Sequence, residues 1–370
     1  MFFQEIFCQD NAIELLQKAF NCNRVAHAYI FAGPEGVGKF RTACEWARLL
    51  LCHDPVIENG FAESCGRCRS CQLFEAGGHP DFNHIYKELR EFTEEGKGKA
   101  PPVDLPIDVV REFLIAKVAV KPSLSHRKVF IVDEAERLNT SSQNSLLKVL
   151  EEPPLNCCIV LICNRLDKLL PTTRSRSQII RFGPVAEDKI VENLILTGLD
   201  KKRAKYFGRL AQGSLGMACQ WAALESADAN LFQTRNELVK SLANYEYSEA
   251  LDLADELLDK GKKIAAIWAD LDKVTSNADI NRRALKTLIR MVVSVFHDIM
   301  TLKLGSSKEL VNFDQKDLIE KLALRFGPEQ SAEKIAFCYQ MLSWIESSVN
   351  ERLIFEHLLL SLIDSDTIIV

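Results

Sequence analysis

The sequence predicts an α/β domain with a largely parallel sheet, followed by a second half that is helical throughout. Three observations support this prediction. Short apolar runs of β-forming residues alternate with helical patterns as far as about Phe182, an arrangement that is typical of parallel sheets. From Val185 onward no convincing strand is present and helical periodicity dominates. The stretch GPEGVGK at 33–39 has the spacing of a phosphate-binding loop between a strand and a helix.

Each predicted strand is a short apolar run bounded by polar residues or turn formers. The five runs are AYIFAG (28–33), DFNHIYKE (81–88), KVFIVDE (128–134), CIVLICN (158–164) and QIIRFGP (178–184). Helices are predicted over 41–52 and 136–152, and the second ends before Pro153-Pro154 because proline cannot continue a helix. In the second half, helical periodicity is clearest over 249–258, 281–304 and 332–363. The stretch GKGK at 96–99 is predicted to form a mobile loop.

Composition indicates an ordinary folded protein. The chain has 370 residues, of which 47% are hydrophobic and 26% charged, and this excludes an intrinsically disordered chain. The net charge of −5 argues against a stand-alone DNA-binding protein. No run approaches the length of a transmembrane helix and the start, MFFQEIFCQD, lacks signal-peptide features, so we expect no membrane contact. Twelve cysteines in such a chain indicate free thiols or metal ligands, and we expect a cytoplasmic location.

The phosphate-binding loop carries its glycines and lysine but departs from the usual pattern at its last position. Gly33, Gly36 and Gly38 let backbone amides turn toward an anion, and Lys39 would meet the β- and γ-phosphates of a nucleotide. The position after the lysine normally supplies a hydroxyl to magnesium, whereas this chain has Phe40. We therefore expect ATP and Mg²⁺ to bind weakly or not at all. The alternative is that the loop is retained only as a tight turn.

A second element of a nucleotide site follows the strand at 128–134. Its four apolar residues end in Asp133-Glu134, so the strand would deliver two carboxylates to its carboxyl end. There Asp133 would face magnesium and Glu134 an attacking water. Acidic residues at a strand end are often merely solvated, but the preceding phosphate-binding loop favours the functional interpretation.

Four cysteines have the spacing of a metal site. Cys52, Cys65, Cys68 and Cys71 form the pattern C-x12-C-x2-C-x2-C. Two-residue gaps allow neighbouring thiolates to reach one ion, and four sulfurs without an open position indicate a structural zinc site. The alternative is a cluster of free thiols. His79 is interpreted as structural because four cysteines suffice. The remaining cysteines, which include Cys157, Cys158 and Cys163, are predicted to be small core residues.

Several motifs occur in the order found in one protein family. HAYIFAGPEGVGK, VDEAERLN, NSLLKVLEEPP and LLPTTRSRS resemble the clamp-loader branch of the AAA+ proteins. Within that branch, GGHPDF at 77–82 and IDVVREF at 107–113 resemble the delta-prime subunits of bacterial DNA polymerase III. The motifs cover roughly residues 1–225. The resemblance implies an AAA+ P-loop domain with a zinc module over 1–183, a helical lid over 184–235 and a helical collar for oligomerisation over 236–370.

Two departures separate the chain from the tau/gamma motor subunits of the same family. Such a motor is expected to keep a hydroxyl after the P-loop lysine and an arginine in its lid motif. This chain has Phe40 at the first position and, within AQGSLGMA at 211–218, Gly216 at the second. Both departures indicate a subunit that has lost efficient hydrolysis.

The stretch RSRS at 174–177 contains the last candidate site. In this family a Ser-Arg-Cys triplet directs its arginine at the γ-phosphate of a neighbouring subunit, and Arg176 matches that arginine, with Ser177 in place of the cysteine. A guanidinium stabilises the charge that develops on a transferred phosphoryl group, which is the role of an arginine finger. Arg174 is the nearest competitor for this role. Without the resemblance, a solvated basic segment before a strand would be the simpler interpretation.

Three functional hypotheses follow. In the first, the chain organises a clamp-loader pentamer with the tau/gamma and delta subunits, and so contributes to loading of the sliding clamp on primer-template DNA, as part of a DNA polymerase holoenzyme and with little or no ATPase activity of its own. In the second, it is an active ATPase, either a tau/gamma-like motor or a separate AAA+ enzyme. The third, a zinc-dependent DNA-recognition protein, is disfavoured because one four-cysteine knuckle offers no reading helix.

Overall fold

A computed structural model describes residues 3–97, 102–244, 247–306, 309–347 and 349–362. The chain divides into two compact units, one formed by 1–189 with 213–216 and the other by 190–212 with 217–370. Of the loop predicted at 96–99, Gly98 and Lys99 lie outside the described residues, as does Ile363 at the end of a predicted helical segment.

The first unit contains a five-stranded sheet and a two-stranded ribbon. The strands are β1 (Ala28–Ala32), β2 (Val56–Glu58), β3 (Phe61–Glu63), β4 (Phe82–Ile85), β5 (Lys128–Val132), β6 (Cys157–Cys163) and β7 (Gln178–Arg181). The main sheet has the order β4-β5-β6-β1-β7 and every pair in it is parallel, so the five predicted strands and their parallel arrangement are confirmed. The ribbon β2–β3 was not predicted, although its Asn59-Gly60 turn is a typical hairpin signal.

The strands β1, β5 and β6 are buried along their whole length. Alternate residues point to opposite faces, so Tyr29 and Phe31 enter one core whereas Ala28 and Ile30 enter the other. The cysteines of β6 divide in the same way. Cys158 belongs to the first core, and Cys157 and Cys163 belong to the second, which confirms that these three are core residues. Cys8 and Cys22 are exposed, so the prediction of core positions is wrong for these two.

Helices cover both faces of this sheet. They are α1 (Asp10–Asn21), α2 (Lys39–Leu51), α3 (Arg69–Glu75), α4 (Ile107–Val109), α5 (Ala116–Val118), α6 (Thr140–Glu151) and α7 (Pro171–Ser175). A π-helical turn at Val110–Ile115 joins α4 to α5. Helix α6 begins later than predicted because the Asn139 side chain caps it by accepting the Ser142 N–H at 2.8 Å.

Because every strand pair is parallel, all carboxyl ends of the strands lie at one edge of the sheet and all amino ends at the opposite edge. The carboxyl ends of the strands are followed by the loop 33–38 after β1, Asp133 after β5 and Asn164 after β6. The opposite edge is preceded by Asp81 before β4 and Ser177 before β7. Ligands of open α/β sheets bind at the carboxyl edge, so the candidate nucleotide site and the segment RSRS lie at opposite edges of one sheet.

In the described part of the rest of the chain, all regular secondary structure is helical. The helices are α8 (Glu187–Leu196), α9 (Lys201–Leu210), α10 (Leu215–Ser226), α11 (Leu231–Ala243), α12 (Ala250–Leu271), α13 (Asn277–Lys303), α14 (Lys316–Arg325), α15 (Pro328–Glu346) and α16 (Glu351–Ser361). The predicted segment 332–363 is two helices, because Asn350 caps α16 by accepting the N–H of Arg352 at 2.9 Å. Among the described helices, none has both the length and the apolar character needed to cross a membrane.

Candidate functional site

The phosphate-binding loop has the backbone that its glycines permit. It leaves β1 at residue 33, and Gly38 takes a left-handed φ of 104° directly before α2, a conformation that other residues rarely adopt. A Cβ atom at Gly33 would lie 2.4 Å from the carbonyl oxygen of Phe182. The strand–loop–helix arrangement predicted for 28–52 is therefore confirmed, with the helix at Lys39–Leu51.

Lys39 has a buried side chain that is fully engaged within the chain. Its ammonium donates hydrogen bonds to the carbonyl oxygens of Gly33 at 2.7 Å and of Pro34, and to Asn164 Oδ1 at 2.8 Å. Burial lowers the pKa of Lys39, and the nearby carboxyl of Glu136 opposes this shift. An ammonium has three N–H donors, so all three are used. A phosphate could be bound by Lys39 only at the expense of one of these bonds.

Asn164 and Glu136 complete this arrangement and were missed in the sequence. Asn164 Nδ2 donates to Glu136 Oε1 at 2.8 Å, and the backbone N–H of Asn164 donates to Glu136 Oε2 at 3.2 Å. Burial raises the pKa of Glu136. The available signal was the polar residue that ends the apolar run of β6, because it had to lie at the same sheet edge as the phosphate-binding loop.

Gly216 lies against the phosphate-binding loop. Its backbone N–H donates to the carbonyl oxygen of Gly36 at 2.8 Å, and a Cβ atom at position 216 would be 3.0 Å from Gly36 Cα. Such a contact is tighter than almost all Cβ contacts in proteins. An arginine at this position would therefore require the loop or the segment 213–216 to move.

The two acidic residues after β5 are held by their own surroundings. Asp133 Oδ1 accepts the N–H of Glu134 at 2.9 Å, and burial raises the pKa of Asp133 to about 6. Glu134 has its carboxylate 3.0 Å from Arg137 Nε and 3.7 Å from Lys87 Nζ. The structure thus brings both residues to the predicted edge of the sheet. Their roles toward magnesium and water stay predictions.

Phe40 occupies the position where a magnesium-binding hydroxyl was expected. Its ring centroid is 4.7 Å from that of His84 on β4, and His84 in turn lies 4.8 Å from the ring of Tyr86. Burial lowers the pKa of His84 to about 4, so this imidazole is neutral at physiological pH. The side chain after Lys39 is thus part of an aromatic row at the sheet edge and offers no oxygen to a cation.

The four cysteines of the predicted zinc module come together. Their Sγ atoms all lie within 4.8 Å of one another, with 3.5 Å between Cys52 and Cys65 and 3.9 Å between Cys52 and Cys68. Tetrahedral zinc with Zn–S bonds of ~2.3 Å requires sulfurs about 3.8 Å apart. Backbone amides of Cys65, Cys68 and Cys71 also donate to these sulfurs at 3.3 to 3.5 Å, as suits thiolate ligands. The donor set therefore fits a structural metal.

His79 lies beside this cluster as a structural residue. Its Nδ1 accepts the N–H of Asp81 at 3.1 Å, so its Nε2 carries the proton and donates to Ser70 Oγ at 2.8 Å. Asp81 accepts three further backbone N–H groups, from residues 123–125, at 2.7 to 2.8 Å. Ser70 stands between Cys68 and Cys71 in α3. The GGHPDF motif thus ties the cysteine module to the sheet.

The two arginines of RSRS have different surroundings. Arg176 Nη2 lies 2.9 Å from Glu151 Oε1, and Arg176 Nη1 donates to the carbonyl oxygen of Thr172 at 3.2 Å. The side chain of Arg174, in the last turn of α7, has no hydrogen-bond or ion-pair partner among the residues that the structure describes. Both precede β7 and so stand at the sheet edge opposite the phosphate-binding loop.

Comparison with known proteins gives matches over most of the chain. A family model described as DNA polymerase III, delta subunit, matches residues 8–186, and one described as its C-terminal part matches 270–364. DNA polymerase III subunit delta' of Bacillus subtilis is 26% identical over 96% of both chains. The subunit of the same name from Escherichia coli is 33% identical over 62% of this chain and 63% of that protein. Subunit tau of Bacillus subtilis is 29% identical over 73% of this chain and 48% of that protein.

Proposed function

Because this chain belongs to the delta-prime family of DNA polymerase III clamp-loader subunits, we propose that it organises the ATP-driven loading of the sliding clamp on primed DNA without useful ATP hydrolysis of its own. In this proposal it assembles with motor subunits of the tau/gamma type and with a delta subunit. It lends Arg176 to the nucleotide site of a neighbouring motor and reaches primer-template DNA through the assembly.

The observation that carries this proposal is the separation of the two candidate sites within one sheet. The loop 33–38 follows the carboxyl end of β1, whereas Arg176 precedes the amino end of the neighbouring strand β7. Four strand residues at ~3.3 Å each put these edges on the order of 10 Å apart. An arginine on the far edge is poorly placed to serve its own loop and well placed to serve another chain.

The chain's own phosphate-binding loop supports the second half of the proposal. All three donors of Lys39 are used internally, Phe40 supplies no magnesium ligand, and a sensor arginine in place of Gly216 would require the backbone there to move. These three features act on different steps, namely phosphate binding, metal binding and stabilisation of the transferred group. Restoring hydrolysis would require changes at each of them.

We also propose that Cys52, Cys65, Cys68 and Cys71 hold one Zn²⁺. Four sulfurs leave no open position, so the ion would supply folding energy and no catalysis. The neighbouring His79 network then transmits the position of the module to the start of β4.

A motor function of the tau/gamma type is the second candidate. It is favoured by the 29% identity to the tau subunit of Bacillus subtilis and by the presence of Lys39, Asp133 and Glu134. The two candidates differ in one property that is simple to measure, which is ATP turnover by the isolated chain.

We expect the isolated chain to bind ATP weakly and to show negligible turnover, with or without DNA. Lys39→Ala should leave this low activity unchanged and instead lower the free energy of unfolding by about 1–3 kcal/mol, because it leaves buried acceptors without a donor. Turnover is measured by phosphate release, and stability by urea unfolding.

Lys121→Ala provides the matched control, since it removes an exposed lysine from the same unit and should leave stability unchanged. Steady ATP turnover that Lys39→Ala abolishes would contradict the proposal and favour the motor.

The helices over 236–370 are proposed to form a collar with partner subunits. Two leucines of this region are largely exposed in the single chain, Leu324 at 86% and Leu353 at 59%. The double variant Leu324→Asp/Leu353→Asp should therefore unfold like the wild type. It should bind the motor subunits at least about tenfold more weakly, because charged groups would replace apolar side chains in a buried interface.

Surface-immobilised motor subunits give the affinity directly. Leu196→Asp, which alters an 85% exposed leucine outside this region, serves as the control and should bind normally. Wild-type affinity of the double variant would show that these leucines lie outside the interface.

A further inference from the structure

The guanidinium of Arg176 is engaged on the surface of its own chain. Its Nη2 atom pairs with Glu151 at 2.9 Å and its Nη1 atom donates to the Thr172 carbonyl oxygen at 3.2 Å. The side chains of Arg176 and Glu151 are 36% and 50% exposed, so the pair can open without disturbing a core. Both terminal nitrogens, which an arginine uses to bind a phosphate, therefore already have acceptors.

Glu151 stands where a carboxylate is electrostatically unfavourable. It is the last residue of α6, and Glu152 is the C-cap, so two acidic side chains lie at the negative end of the helix macrodipole. Lys148 in the last turn offsets part of this charge. Arg176, the C-cap of α7, is within ion-pair distance of Glu151. Separating Arg176 from Glu151 would leave the negative charge at the end of α6 without a compensating cation. The helix end therefore favours the ion pair.

We propose that Glu151 is a positioning residue. It holds the guanidinium of Arg176 against the surface of its own chain, which we call the parked position, until the phosphates of a neighbouring nucleotide compete for the guanidinium. The inference rests on the proposed role of Arg176 as an arginine finger. Carboxylate and phosphate bind the same fork of a guanidinium, so Glu151 occupies the place that a phosphate would take. A phosphate chain carries more negative charge than one carboxylate, and it displaces Glu151 only when the subunits close on each other. Glu151 thereby limits ATP turnover before the assembly engages DNA.

The test uses the clamp loader reconstituted with its motor and delta subunits. Glu151→Gln should raise ATP turnover in the absence of DNA by about two- to fivefold, the range that the strength of one half-exposed ion pair allows. The turnover stimulated by clamp and primed DNA should stay unchanged, as should the KM for ATP, because the variant alters only how readily the finger leaves its parked position. Glu151→Asp keeps the charge and should stay close to the wild type.

Glu152→Gln is the matched control, since it removes a carboxylate from the same helix end without touching Arg176, and it should change neither rate. A second comparison introduces Glu151→Gln into the Arg176→Ala background, where it should have no further effect. If Glu151→Gln raised ATP turnover equally in the wild-type and Arg176→Ala backgrounds, or failed to raise it with Arg176 present, Glu151 would not hold Arg176 in the parked position. The role of Arg176 as an arginine finger would be unaffected by that result. If Arg176→Ala itself has no effect on the complex, the finger assignment falls and this inference falls with it.

Discussion

Replacing Arg176 with alanine is expected to lower clamp loading sharply and to remove part of the ATP turnover of the assembled complex, while the isolated chain stays folded. An arginine finger is worth ~10³–10⁵ in rate at the site that it serves, where the chemical step is limiting. Total ATPase activity should fall less than this, because the other sites of the assembly keep their own fingers. Folding should be unaffected since Arg176 is a half-exposed residue at the end of α7.

Arg174→Ala is the control, because Arg174 lies two residues away in the same short helix. Single-turnover ATP hydrolysis and clamp loading on primed DNA would be measured for both variants in complexes of equal composition. Normal loading by the Arg176→Ala complex together with failure of the Arg174→Ala complex would mean that Arg174 is the finger. If neither variant changed either rate, the chain would contribute only a scaffold.

Much of the first unit could be predicted from the sequence because its signals are local. The five strands of the sheet are runs of four to seven residues, three of which are buried throughout, and the run at 28–33 leads directly into the glycine-rich loop. The cysteine pattern is equally local, since Cys65, Cys68 and Cys71 are each separated by only two residues. In both cases residues close in sequence determine the geometry.

The hydrogen bonds of the Lys39 ammonium could not be predicted from the sequence, because its partners come from different parts of the chain. Asn164 is 125 positions away, and its orientation depends in turn on Glu136. The same reason applies to Gly216, whose meaning became clear only from its contact with Gly36. The motif therefore predicted the strand–loop–helix arrangement correctly but gave no information on whether the ammonium of Lys39 was available to a ligand.

The prediction of helix boundaries was limited by a different cause. Periodicity continues across 332–363, whereas the structure has two separate helices, α15 and α16, in this segment. The start of α16 depends on one polar side chain, Asn350, which accepts hydrogen bonds from the free N–H groups there. Apolar spacing is insensitive to such a cap because the residues on either side keep the same pattern.

The positions of the zinc module and Arg176 suggest a division of labour between the two edges of the sheet. Both lie away from the carboxyl edge of the sheet, where the lysine of the phosphate-binding loop is hydrogen-bonded within its own chain. In our proposal, the features that serve assembly and neighbouring subunits are thus gathered at the edge opposite the candidate nucleotide site. On this basis the zinc module is expected to matter for the structure around residues 52–71 and not for chemistry.

Removing zinc is expected to unfold the module locally and to lower the stability of the first unit substantially. The chain as purified without chelator should contain one zinc per molecule, and Cys65→Ser should lose it. Structural zinc contributes ~10–16 kcal/mol of apparent binding energy in zinc-finger peptides, part of which is folding energy here. Hydrogen exchange should accelerate across 52–71 and around Ser70 and His79, whose hydrogen bond depends on the position of α3.

Cys22→Ser is the matched control, because Cys22 is exposed and lies outside the cluster, so this variant should keep its zinc and its exchange pattern. Elemental analysis gives the stoichiometry, and hydrogen exchange reports the structure independently of any activity. The inner strands β5 and β6 should keep their protection in the Cys65→Ser variant, since both are buried along their whole length in the middle of the sheet. Zinc-free protein with four reduced thiols and full protection over 52–71 would rule out a structural metal at this site.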